Sequence, residues 1–351
     1  MWYTYTKKLI NEKGVTMKIS DYFKPKSLVY TGDYKNEQTL IHRYVYDKDK
    51  VDEFDDIKPC DKKQYIQVIG LSNLAVINEI KEAFNIDEFV VEDILNVNQR
   101  NKIEKVGDYI FAAFSLMYQD KGQIKKDYMS LIFSEKVLIT FHESEPLFLS
   151  PIKTLLHEYE ELKINHLDFL FYQILDLITD DHLNIYDFFE TEMNRFEDEI
   201  LETKQIDQDD FYKVRKQIIQ LKNLTYPLYD HLEMMLKLDL AIIRQSSKKY
   251  FDDLIDHMYR LDLRINQLRD MMKTLLDLDI NNQSNRMNRI MSTLTLFSAI
   301  FIPLSFLTGF FGMNFIYFDI LSYEHAVIIF AGVCILIAGV MIYIFKKHRW
   351  F

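Results

Sequence analysis

Residues 291–315 read MSTLTLFSAIFIPLSFLTGFFGMNF, and this stretch decides what kind of protein the chain makes. It holds no charged side chain, and as a helix rising about 1.5 Å per residue it is long enough to cross a hydrocarbon core of about 30 Å. A second uncharged run, residues 326–345, follows after a short connection. Only segments that satisfy their own backbone hydrogen bonds are stable inside a bilayer, so the two runs predict a helical hairpin. The reading is of an α+β membrane protein anchored through its C-terminal end.

Flanking charge predicts the orientation. Arg286 and Arg289 precede the first run and Lys346, Lys347 and Arg349 follow the second, whereas the connection holds only Asp319 and Glu324 as charged residues. The basic ends belong on the cytoplasmic side, which places both termini there in a multi-pass protein of the cell membrane. Trp350 and Phe351 suit the interface beside them.

The 351 residues carry a formal charge of −11, which argues against nucleic acid as a partner. The chain's two cysteines, Cys60 and Cys334, provide neither a disulfide framework nor a Cys-based zinc site, and a reducing cytoplasm suits the soluble part. The opening MWYTYTKKLINEKG lacks the apolar core of a secretory signal. There is no Gly-rich phosphate loop, no paired-histidine metalloprotease helix and no spaced Cys/His cluster, so an enzyme is not expected.

Upstream of Pro151, residues 65–70 (YIQVIG) predict a strand ending at a glycine turn, and residues 71–84 predict the helix after it. Further strands are predicted over 109–118, 128–133 and 137–141, which makes residues 27–151 an α/β domain with a mixed sheet after an N-terminal extension, 1–26. Beyond Pro151 glycine is absent until Gly309, and proline occurs only at Pro227 and Pro303. So long a span without punctuation predicts very long helices, over 166–201, 209–238 and from 249 onward, with a kink or break at Pro227. The stretch 152–245 is acidic, with a run from Asp180 to Glu202 that suggests a partner for the basic tail, 346–351. The stalk, 246–290, carries Leu254, Met258, Leu261, Ile265, Leu268, Met272 and Leu275 in steps of four and three. That seam fits either association between copies or packing on the chain's own helices. Continuous helix-forming sequence then predicts one helix of about sixty residues running into the first membrane segment, 291–312, with an outer loop at 313–325.

Asn288, Met291, Thr295, Ser298, Ile302, Ser305, Gly309 and Gly312 share one face of that helix, and most are small or polar. Small and hydroxylated residues serve helix packing in membranes, and they also suit a water-filled path. Two membrane segments from one chain cannot enclose such a path, so a conduit needs several copies around an axis.

The ending Phe311-Gly312-Met313-Asn314-Phe315, on an uncharged helix with a long stalk before it and one more membrane segment and a basic tail after it, resembles the CorA family of divalent-cation channels. Val91-Glu92-Asp93-Ile94-Leu95-Asn96 with Gln99, Arg100 and Lys102 resembles that family's cytoplasmic motif, and residues 27–32 (SLVYTG) resemble its opening strand. The resemblance implies a homopentameric funnel whose stalk helices continue into pore-lining segments. It implies that Asn314 rings the outer mouth around a hydrated Mg²⁺, with Gly312 allowing a tight turn and Met313 packing behind. It implies a second polar ring at Ser305, a hydrophobic constriction at Leu294 and Ile302, and an exit at Asn288. It further implies that Asp93 and Asp253 of adjacent subunits share a regulatory Mg²⁺, with Glu92, Asp252 and Asp256 nearby.

Two departures stand out. Phe311 occupies the place of the family's usual Tyr, and the outer loop reads FIYFDI over 315–320, with Asp319 in place of the glutamates of magnesium-transporting members. The expected function is Mg²⁺ influx, with Co²⁺ or Ni²⁺ as passengers, closed by cytoplasmic Mg²⁺. Zinc transport within the same superfamily and a poreless membrane-tethered assembly or sensor protein are the alternatives.

Overall fold

The computed structural model describes residues 9–10, 16–17, 28–34, 38–202, 204, 206–238, 241–313 and 324–348. Two short strands, β1 (Leu9–Ile10) and β2 (Thr16–Met17), pair antiparallel at the N-terminus. The main sheet has seven strands: β3 (Leu40–Tyr46), β4 (Val51–Phe54), β5 (Lys63–Ile69), β6 (Lys102–Val106), β7 (Tyr109–Asp120), β8 (Gln123–Phe133) and β9 (Val137–His142). Their spatial order is β4-β3-β5-β9-β8-β7-β6. Every pairing is antiparallel except β5 with β9, which run parallel with Gln64 opposite Val137 and Ile69 opposite His142. The sheet is mixed, as the sequence predicts.

Both faces of this sheet are buried, and the strand period of two sorts its side chains between two cores. Ile110, Ala112, Phe114 and Leu116 of β7 join the core that includes residues of the long helices, whereas Phe111 and Ala113 join the other. The second core is covered by α1 (Leu74–Phe84) and α2 (Glu88–Leu95). Asn73 caps α1 by accepting from the Ala75 amide, and Asp87 caps α2 by accepting from Phe89. Gly70 makes the turn after β5 at φ +89°, where a Cβ would stand 3.1 Å from the Gln38 carbonyl oxygen. Residues 28–32, read as an opening strand, lie outside the sheet ladders. Thr31 instead joins the end of α2, its amide donating to the Leu95 carbonyl at 3.1 Å.

The first core is covered by α3 (Ser150–Glu158), α4 (Glu160–Ile164) and three long helices, α5 (Leu167–Leu201), α6 (Gln208–Lys237) and α7 (Gln245–Phe311). Pro227 does not break α6, which runs through it. Beside the hydrogen bond that Pro227 cannot make, Asn101 Nδ2 donates to the Leu224 carbonyl at 2.9 Å and holds α6 to the sheet. The seven seam residues, Leu254 through Leu275, are all buried within one chain. Phe251 packs on Phe171 and Tyr172 of α5, and Tyr259 on Tyr229 of α6. The seam is therefore buried within the chain itself.

The chain divides into two compact units, residues 1–196 with 207–272, and residues 197–206 with 273–351. The sheet and both cores belong to the first. In the second, Asn282 Nδ2 donates to the Ile200 carbonyl at 3.0 Å, and α8 (Ala326–Lys347) follows α7. The apolar ends of α7 and α8 are long enough to cross a membrane, and almost nothing in them is buried. An exposed apolar surface of that extent is stable only in lipid or against other membrane helices.

Candidate functional site

The membrane end of α7 has two opposite faces. Leu296 is buried and Ile300, Pro303, Leu307 and Phe311 are half-buried, and these fall on one stripe. On α8 the half-buried residues Phe330, Cys334, Ile337, Met341 and Phe345 form a similar stripe. The Phe311 and Phe330 rings meet with centroids 5.2 Å apart, so these are the faces through which the hairpin closes. At 3.6 residues per turn, Met291, Thr295, Ile302, Ser305 and Gly309 lie about 180° away from that stripe. All five are exposed in a single chain, as are Asn288, Leu294, Gly312 and Met313.

The polarity of this outward face is muted rather than open. Thr295 Oγ1 donates to the Met291 carbonyl at 2.8 Å, and on the flank of the face Thr308 Oγ1 donates to the Leu304 and Ser305 carbonyls at 3.0 Å. A hydroxyl that bonds its own helix can sit in an apolar setting and still offer lone pairs to water or an ion. Phe297 and Phe301 flank the face on one side and Phe306 and Phe310 on the other, all exposed. A Cβ on Gly309 would meet nothing within 4 Å, so nothing among the described residues requires that glycine. Gly312 differs: its amide donates to the Thr308 carbonyl at 2.9 Å, and a Cβ there would stand 2.9 Å from the same oxygen. Asn314, Asp319 and Arg349 lie outside the described residues. Glu324, Lys346 and Lys347 are exposed.

Of the regulatory residues, Asp93 sits in the last turn of α2 and Asp253 near the start of α7. No interaction among the described residues joins their carboxylates within one chain. Lys102 Nζ lies 2.7 Å from Asp93 Oδ2, and His257 Nε2 lies 3.9 Å from Asp253 Oδ2. Asp256 is paired with Arg260 at 2.7 Å, Glu92 is half-buried, and Asp252 is exposed. Among the described residues no three His, Cys, Asp or Glu side chains come together as a metal site. Asp253 does face acidic company on α5. The Asp176 carboxyl is pushed above the usual range by burial first, then by Asp180, with Asp253 adding to the effect and His257 opposing it. The sequence reading missed Glu104, whose Oε2 lies 3.3 Å from Lys102 Nζ. Its signal is slight, because a lone acid on an exposed strand position looks like solvated surface.

Residues 68–347 match the family described as CorA-like Mg²⁺ transporter protein. The chain belongs to the CorA family. It is 27% identical to the cobalt/magnesium transport protein CorA of Thermotoga maritima over 342 residues, covering 93% of this chain and 96% of that one. It is also 27% identical to the putative metal ion transporter YfjQ of Bacillus subtilis over 274 residues, covering 78% and 85%. Among solved structures, the complete CorA magnesium transporter of Methanocaldococcus jannaschii matches with a TM-score of 0.76 at 18% identity, over 90% of this chain and 99% of that chain. The CorA fold accordingly extends through both membrane helices, and the protein is a membrane-bound divalent-cation transporter of this family.

Proposed function

We propose that the protein is a Mg²⁺ channel that lets the ion run down its electrochemical gradient into the cell, with Co²⁺ or Ni²⁺ as further passengers. The observation that carries this reading is the outward face of α7. A partly small and hydroxylated stripe lies opposite the face that closes the hairpin and runs up to Gly312-Met313, and apart from the half-buried Ser298 it stands exposed among the described residues of one chain. Several copies around an axis, five by resemblance, would bring these stripes together.

In that ring, Asn314 would hold the hydrated ion at the outer mouth. Mg²⁺ gives up its waters reluctantly, so neutral amide oxygens select it through its hydration shell without replacing that shell. Leu294 and Ile302 would form the constriction that closes by dewetting, and Asn288 the exit. Asp93 of one copy and Asp253 of the next would share a cytoplasmic Mg²⁺. Facing carboxylates repel until a cation bridges them, so bound Mg²⁺ favours the closed state and its loss releases it.

The test is Mg²⁺ flux into proteoliposomes with trace or millimolar Mg²⁺ on the cytoplasmic face. Flux that appears only at trace Mg²⁺, and that Asn314→Ala abolishes while the oligomer survives, is the expected result. Undiminished flux in that variant removes Asn314 from the pathway. The outer loop 315–320, with one carboxylate, supports a second reading as a zinc transporter, which Zn²⁺ uptake that Mg²⁺ cannot inhibit would establish.

A further inference from the structure

The Asp93 carboxylate is already engaged by a cation. Lys102 Nζ stands 2.7 Å from Asp93 Oδ2 and 3.3 Å from Glu104 Oε2, and it lies 5.3 Å from the centre of the Phe111 ring. The side chain is only 20% exposed, so the ammonium is held between two carboxylates and an aromatic face, unlike a freely solvated surface lysine. Asp93 is equally well fixed. Its carbonyl accepts from Gln99 Nε2 at 2.7 Å and from the Tyr128 hydroxyl at 3.0 Å, and α2 ends there with the Asn96 amide on the Glu92 and Asp93 carbonyls.

A position between two carboxylate oxygens that accommodates one cation suits another, and oxygen ligands of this kind are what Mg²⁺ and its bound waters accept. The two occupants exclude each other, because an ammonium and a divalent cation repel strongly at such distances. We propose that Lys102 is a tethered occupant of the regulatory cation position between Asp93 and Glu104, which cytoplasmic Mg²⁺ must displace to close the channel. The inference rests on Asp93 being a regulatory ligand, and it adds Glu104 and Lys102 to that site. With the lysine swung away, Glu104 supplies a second oxygen from the same chain, and the neighbouring copy's Asp253 completes the set.

Competition of this kind sets a threshold. A partly exposed ion pair raises the Mg²⁺ concentration needed for closure by a factor of roughly two to five. The channel therefore stays open until Mg²⁺ is abundant, without any change in the ligands themselves.

The experiment uses the full chain. The Mg²⁺ midpoint for closure is measured by flux in proteoliposomes, and independently by protection of the detergent-solubilised oligomer from limited proteolysis as Mg²⁺ is added. Lys102→Met keeps the apolar stem over Phe111 and removes the charge. Both midpoints are expected to fall about two- to fivefold in this variant, and to stay at the wild-type value in Lys102→Arg and in Lys105→Met, which removes an exposed charge from the same strand. A midpoint in Lys102→Met that is unchanged or higher overturns the proposal, and so does an equal fall in Lys105→Met. Lys102→Gln repeats the measurement if the methionine variant fails to fold. Asp93→Asn separates the two levels. If that variant keeps the wild-type midpoint, the regulatory assignment itself fails; if it loses the Mg²⁺ response while Lys102→Met does not move the midpoint, only the tether fails.

Discussion

Phe311, the last residue of α7, lies against Phe330 of α8 with the ring planes at 58° and the centroids 5.2 Å apart. This contact fastens the two membrane helices together immediately before the Gly312-Met313-Asn314 triplet. In lipid there is little hydrophobic drive between helices, so packing of this kind carries the association. Replacing either ring by alanine should weaken the hairpin by about 0.5–1.5 kcal/mol beyond the lost contact area, seen as a lower melting temperature in detergent. Phe311→Tyr, which preserves the ring, should melt like the wild type.

Gly312 and Gly309 should respond differently to alanine. At Gly312 the new methyl would press on the Thr308 carbonyl oxygen, a backbone atom with little room to yield. Gly312→Ala should therefore shift the backbone at the end of α7 and, with Asn314 in the role proposed above, reduce Mg²⁺ flux about tenfold, a loss of about 1.4 kcal/mol in transition-state terms. Gly309→Ala meets nothing among the described residues, and the melting temperature of the detergent-solubilised protein should stay at the wild-type value.

Asn101 ties three elements together. Its side chain accepts from the Ser115 amide at 2.6 Å and donates to the Ser115 carbonyl at 3.0 Å and the Leu224 carbonyl at 2.9 Å, all with 4% of the residue exposed. Asn101→Ala leaves those backbone groups without their partner, and a cost of about 2–4 kcal/mol is expected in denaturant titration. Asn101→Asp should cost at least as much, since one oxygen would then face two carbonyls.

A pH dependence follows from Asp127, which lines a cavity of about 350 Å³ together with Glu143, Ser115 and Gln220. Burial raises its carboxyl to about 7, with the Tyr128 amide opposing and Glu143 adding to the shift. Because the folded value lies above the unfolded one, the folded state binds more protons between about pH 4 and 7, and this group's contribution to stability declines as pH rises through that window. Asp127→Asn should therefore raise the melting temperature most at pH 8, less at pH 5, and leave it near the wild-type value at pH 4. His142 and His182 act in the opposite sense, held down to about 3 and about 4 by burial, so their contribution is full above about pH 6.5 and declines as pH falls.

The membrane hairpin, the long helices and the outward face of α7 were legible because each rests on a period or an absence that one sequence displays. The seam from Leu254 to Leu275 was legible as a stripe, but an apolar period does not say whose surface it meets, and the chain's own α5 and α6 take it. Strand β3 escaped notice because Arg43 interrupts its apolar pattern. That side chain is buried only because its Nε donates to Asp56 at 2.7 Å and its guanidinium covers the Phe54 ring. Glu104 was hidden for a related reason, and Lys102 was legible as part of the motif but not as an ion pair: their meaning depends on Asp93, which reaches them from another element.

The parallel pairing of β5 with β9 also constrains how the protein is made. β9 lies between β5 and β8, yet it is the last of the sheet's strands to be synthesised. Until His142 has left the ribosome, the β3–β5 portion carries an open edge with no mate, and loop closure across β6 to β8 must come first. The two halves of the sheet thus wait on one six-residue strand, VLITFH, with every position buried in the finished fold. A lesion in β9 should accordingly appear first as failed biogenesis and aggregation of the nascent chain, before any effect on transport can be seen.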